Sequence, residues 1–194
     1  EFTKYINQRI PDIPINVKYS FKNGSHLQAG AVLRNMYYKD EVEDKDRIVT
    51  GWGASLSGIW QFAENTSLCF QGVYGKGISN YIQDISGSGL DLVPSTTAEG
   101  ELKAFCAWGG YIGFSHNWNK VLTSNIMYSY ARALDRYGMP ATSYKYAQYA
   151  AANLFWDFSE YGSCAIEYVF GRRNDFNKDY GNASRINTMI QYRF

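Results

Sequence analysis

The chain has 194 residues, enough for one domain-sized unit, and a formal net charge of +1, which offers no bulk attraction to nucleic acid or to an anionic membrane surface. Aromatic residues make up 17% of it, with 17 Tyr, and Gly numbers 18 against 4 Pro, a mixture that suits strands and tight turns better than helices. Mean hydropathy is −0.37 and no apolar run reaches the roughly 18 residues a transmembrane helix requires, which excludes helical spans but not a barrel, whose strands need only about 9–11 residues of alternating polarity.

The opening EFTKYINQRIPD has neither the charged start nor the apolar centre of a signal peptide, so a mature form or a fragment is expected. From there polarity alternates in about nine runs: 13–22, 26–38, 50–62, 67–77, 104–118, 122–133, 146–158, 163–173 and 185–194. All read as strands, because a period of two places alternate side chains on opposite faces. In the first, Ile15, Val17, Tyr19 and Phe21 oppose Asn16, Lys18, Ser20 and Lys22. In the second, Leu27, Ala29, Ala31 and Leu33 oppose Gln28, Gly30, Val32 and Arg34, and in the third Trp52, Ala54, Leu56, Trp60 and Phe62 oppose Ser55, Ser57 and Gln61.

The connections alternate between short (NGS, AENT, NKV, SEYG) and long and polar (KDEVEDKDRIV, 78–103, LDRYGMPATSYK, NDFNKDYGNAS). A Greek-key sandwich has no reason to sort loops by length onto one end, whereas an outer-membrane up-and-down barrel has tight turns at the periplasmic end and long loops outside. Trp52 and Trp108 fall near the upper strand ends and Trp60, Trp118 and Trp156 near the lower ones, where two aromatic girdles are expected at the membrane interfaces. The fold class read from this pattern is an all-β, transmembrane, antiparallel up-and-down β-barrel, with residues 1–194 forming a single barrel portion. A soluble eight- to ten-stranded barrel binding an apolar ligand is the alternative, and an outer-membrane barrel enzyme the third.

The polar face carries Lys18, Lys22, Arg34, Arg173, Arg185 and Arg193, with Lys76 at an upper strand end, against Glu167 and Asp157. These are the candidate pore-lining and selectivity residues, since rings of one charge select ions. The segment 78–103, with Asp84, Asp91, Glu99 and Glu101, is expected either as an extracellular loop or as a constriction folded into the lumen. His26 and His116 lack an evident nucleophile and orienting carboxylate, so no catalytic residue is assigned, and no Walker, HExxH or GxSxG motif appears. Cys69, Cys106 and Cys164 have no metal-ligand spacing, and neither a metal nor a cofactor is expected.

The stretches QRIPDIPINVKYSF, GWGASLSGIWQF, VYGKGISNYI, AWGGYIGFSHNW and EYVFGRRNDFN…ASRINTMIQYRF, in this order, resemble the C-terminal half of the DcaP-like porins of Gram-negative outer membranes. The resemblance implies a sixteen-stranded, homotrimeric porin passing small anionic solutes, dicarboxylates among them. It also implies that the terminal aromatic strand, with Tyr192 and Phe194, is read by the outer-membrane assembly machinery. Nine strands is an odd set, and bacterial single-chain barrels close with even numbers, so either 1–9 supplies a tenth strand or the chain is part of a larger barrel; the second is expected.

Overall fold

The alternation becomes one antiparallel sheet in a computed structural model that describes residues 6–40 and 42–194. Two short pieces, β1 (Ile6–Asn7) and β2 (Ile13–Ser20), lie along the same edge of β3 (His26–Asp40), opposite Tyr37–Tyr38 and His26–Leu33 respectively. The sheet continues in chain order through β4 (Lys45–Ala63) and β5 (Thr66–Lys76). A small separate hairpin, β6 (Leu92–Pro94) with β7 (Leu102–Ala104), interrupts that order. The sheet then resumes with β8 (Cys106–Asn117), β9 (Leu122–Ala133), β10 (Tyr144–Asp157), β11 (Gly162–Asp175) and β12 (Tyr180–Tyr192). Among the described residues β2 pairs only with β3 and β12 only with β11, so the sheet does not close on itself.

Among the described residues the N-terminal segment adds no tenth stave. Residues 1–5 of the candidate strand 1–9 lie outside the described residues, and Ile6–Asn7 extends the edge already occupied by β2. Pro11 and Pro14, which cannot donate to a ladder, lie at and after the break between the two pieces.

Register assigns the faces. Leu33 stands opposite Trp52, Ala54 opposite Tyr74, Tyr74 opposite Trp108 and Leu154 opposite Ile166, all on one face. That face stays exposed: Ile15 is 67%, Leu56 52% and Ile186 68% accessible. A soluble barrel would bury its apolar face inside; here lipid is the solvent that makes it favourable.

Two strands are longer than the polarity pattern predicts. β4 begins at Lys45, not Thr50, and β12 at Tyr180, not Arg185. Polar residues there face one another across the ladder, with Lys39 opposite Asp46, Asp40 opposite Lys45, and Arg47 Nε 2.7 Å from Asp40 Oδ2, so opposite charges support pairing where polarity suggested a loop. KDEVEDKDRIV and NDFNKDYGNAS are therefore hairpin ends, with turn residues at 42–44 and 176–179, whose Asp44 (φ 51°) and Lys178 (φ 75°) adopt the left-handed conformation. The strict short–long alternation does not hold. The two long connections that remain, 77–105 and 134–143, leave from the same end of the sheet.

Candidate functional site

The 77–105 segment folds back over one face of the sheet, the face opposite the exposed apolar one. Gly77 (φ 69°) makes the turn out of β5, and its N–H donates to Phe105 O at 2.8 Å, closing the base of the loop. Two single-turn 3-10 segments, Ser79–Tyr81 and Gln83–Ile85, then bury Ile78, Ile82 and Ile85, which join Val93, Phe105, Ala107, Ala131, Ala133, Met139 and Tyr144 in one apolar cluster. Each of the larger side chains contributes about 1.5–3 kcal/mol on full burial.

The wall beneath is carved to receive them. A Cβ on Gly53 would stand 3.0 Å from Ile78 Cγ2, and one on Gly109 3.2 Å from Ile82 Cγ2. Further up, Leu92 packs with Met36 and Tyr38, and Tyr38 Oη accepts the Leu102 N–H at 3.0 Å. The 134–143 connection locks over the first, its Gly138 N–H donating to Pro94 O at 3.0 Å.

Arg34 ties loop, wall and N-terminal segment together. Its Nε lies 3.0 Å from Asp12 Oδ2 and its Nη1 2.9 Å from Asp91 Oδ1, with a further bond from Nη1 to Gly77 O. The guanidinium also lies 5.5 Å from the Tyr81 ring centroid, while Tyr81 Oη donates to Asp12 at 2.6 Å. Ser79 and Asn80 donate to the two oxygens of Asp91. The Arg34 side chain is 6% exposed, so its charge is spent inside this clamp and is surrounded by two carboxylates.

The other cations expected on the polar face are placed differently. Lys18 is exposed on the loop-bearing face of β2, opposite Gln28, and Lys22 is exposed in the turn beyond it. Arg173 on β11, Arg185 on β12 and Arg193 just past the end of β12 are exposed; Arg173 Nε reaches Asp175 at 2.9 Å, and Arg185 stands opposite Val169. Glu167 lies on the same face, its two oxygens accepting from Asn153 at 3.3 Å and Asn187 at 2.9 Å, with Asn125 donating to Asn153 at 2.8 Å. Asp157, opposite Ser163, shares that face. Lys76 does not: its register with Trp52 and Cys106 puts it beside Tyr74 on the outward face, because it falls at the opposite phase of the two-residue period.

All five tryptophans are on the outward side, Trp52 packed edge-on against Tyr74 at 5.6 Å and Trp156 against Phe158 at 5.8 Å. Tyr192 sits opposite Gly162 on the exposed rim and Phe194 is fully exposed beyond it. His116 accepts or donates at 2.8 Å with Thr66 and packs on Trp118 at 4.6 Å. The three cysteines are free.

Sequence reasoning overlooked Asp12 and Tyr81 as partners of Arg34, and Ser79 as a donor to Asp91. Glycines 53 and 109 in phase with the polar face, beside a loop bearing Ile78, Ile82 and Ile85, were the available sign that the loop packs against that face.

The fold is that of the outer membrane channel DcaP of Acinetobacter baumannii, to which the chain is 19% identical with a TM-score of 0.79 over 97% of its residues. The chain spans 53% of that channel's length. The NanC porin is 12% identical over 94% of this chain and 93% of its own, with a TM-score of 0.47. The CymD monoaromatic hydrocarbon channel is 10% identical over 92% of this chain and 49% of its own, also at 0.47. No curated protein sequence matches. The sequence profile of the DcaP outer membrane proteins matches residues 6–194, so the chain belongs to that family and forms part of a barrel wall in the Gram-negative outer membrane.

Proposed function

We propose that the whole protein is a passive outer-membrane channel, that the 77–105 loop narrows its lumen, and that it favours small anionic solutes, dicarboxylates among them. One observation carries the reading: the loop seats on the non-lipid face through a glycine-lined dock and a buried ion-pair clamp, leaving the rest of that face polar and exposed. A barrel whose interior bears a fixed loop on one side and free side chains on the other narrows the solute path without plugging it.

Anion preference rests on Lys18, Lys22, Arg173, Arg185 and Arg193, the exposed cations on or next to that face. Arg34 is not among them, since Asp12 and Asp91 neutralise it. Glu167, held by two amide donors, is the principal opposing charge on β11. The tryptophans, all outward, serve as interfacial anchors. Membership of the DcaP outer membrane protein family and the fold shared with the DcaP channel support the channel reading.

Conductance of the full-length protein in planar bilayers tests this. Under a KCl gradient the reversal potential should report chloride preference, and succinate should permeate faster than a cationic solute of similar size. Cation preference would sink the anionic reading; an absence of discrete conductance would sink the channel itself.

A further inference from the structure

Between the 77–105 loop and the wall lies a trough of about 560 Å3 that the anion reading does not use. Its wall side is a single row across four adjacent strands, in which Gln71 of β5 stands opposite Tyr111 of β8, Tyr111 opposite Ser129 of β9, and Ser129 opposite Tyr149 of β10. Gln83 and Asp84 line it from the loop. Among the described residues none of these six side chains forms a hydrogen bond or ion pair with the protein, although neighbouring polar groups such as Asn80 and Tyr81 are fully engaged in the Arg34 clamp. Gly109 and Ala131 keep the floor low.

The chemistry of the lining defines the occupant. Tyrosine and serine hydroxyls and glutamine amides both donate and accept, which suits a ligand with hydroxyls in several directions, and the tyrosine rings offer apolar surface to the C–H face of a saturated ring. Asp84 is the sole charged side chain of the lining, so the one charge it complements is positive. Partial desolvation with no compensating partner pushes its carboxyl above the usual range, which an ammonium placed beside it would reverse.

We propose that this trough is a binding subsite for an amino sugar, a polyhydroxylated ring bearing an ammonium, on its way through the lumen. The inference rests on the channel reading, and extends it to a solute of opposite charge on the loop side of the same lumen. Exposed Arg173 and Arg185 stand on strands outside the trough lining.

The test is block of ion current through the full-length protein in planar bilayers by glucosamine, glucose and succinate. Glucosamine should block at about fivefold lower concentration than glucose, the scale of one partly exposed ion pair, with succinate not acting at this site. Asp84→Asn should bring glucosamine to the level of glucose, while Tyr111→Phe with Ser129→Ala should weaken block by both sugars together. Conducting pores that respond equally to glucosamine and glucose, or whose glucosamine block survives Asp84→Asn, overturn the subsite and leave the channel reading intact. A protein that forms no conducting pores overturns both.

Discussion

The same face of the sheet is built in two ways. Under the loop it is Gly51, Gly53, Gly75, Gly109, Ala107 and Ala131, buried and nearly without side chains; on β11 and β12 it is Glu167, Arg173, Arg185 and Asn187, large, polar and, apart from Glu167 and Asn187, exposed. Both regions obey the two-residue period, and on both the opposite face is apolar. What differs is the solvent of the inner face. Where protein covers the wall, Gly53, Gly75 and Gly109 make room for Ile78 and Ile82, Gly51 makes room for Met36, and the polar groups that are buried, Arg34, Asp91 and Ser79, are paired with one another; where water covers it, charge carries no such requirement.

Breaking the clamp should do most damage. Arg34→Met leaves the buried Asp91 and the half-buried Asp12 without their cation, a loss of about 3–5 kcal/mol. In the full-length protein the urea midpoint should fall, protease should cut within 77–105, and open-channel conductance should rise. An unchanged digestion pattern would show that the clamp does not hold the loop.

Glycine substitutions sharpen the contrast. Gly109→Val drives new methyl groups against Ile82, and Gly53→Val against Ile78; either should cost about 1–3 kcal/mol in denaturant unfolding. Gly171→Val and Gly181→Val, whose added Cβ would meet nothing within 4 Å, should stay within about 0.5 kcal/mol of the parent. Equal losses in the two pairs would remove the distinction between docked and bare wall.

On the bare wall stability should hardly respond, whereas selectivity should. Replacing Arg173 and Arg185 together by Gln should shift reversal potential toward cations, with a permeability ratio changed about twofold, the scale of screened exposed charges. An unmoved potential would assign these arginines to local pairing, as with Arg173 and Asp175.

The smallest effect belongs to Asp84. Its carboxyl is held above the ordinary range because partial desolvation disfavours the charged form. The folded state thus holds the proton more tightly than the unfolded one. Its contribution is fully present below the unfolded value of about 3.9 and declines as pH rises through the raised folded value. Asp84→Asn should match the parent near pH 3 and be slightly more stable at neutral pH. A parent whose stability falls toward acid relative to the variant would reverse the sign and refute the assignment.

The strands and their facing were legible because alternation records which solvent each side chain meets, and a one-residue slip would have turned every apolar group inward. Thus Leu33, Trp52 and Leu56 could be assigned to lipid before their partners were known. The ends of β4 and β12 were misread because charged residues in a hairpin beyond the apolar band look like loop until their cross-strand partners are in place. Arg34 was misjudged for the same reason: in sequence it is a cation on a polar face, and only the fold brings Asp12 and Asp91 to it.

Local pattern, then, determined the all-β class, the antiparallel neighbours and the lipid face, since these depend on residues two positions apart or on strands joined in chain order. Tertiary structure alone decided that the 77–105 loop folds back over the polar face of the sheet, which cations of that face stay exposed and where the trough lies. Those outcomes depend on contacts such as that of Tyr81 with Asp12, 69 positions apart, whose energy exists only once the wall has formed beneath the loop.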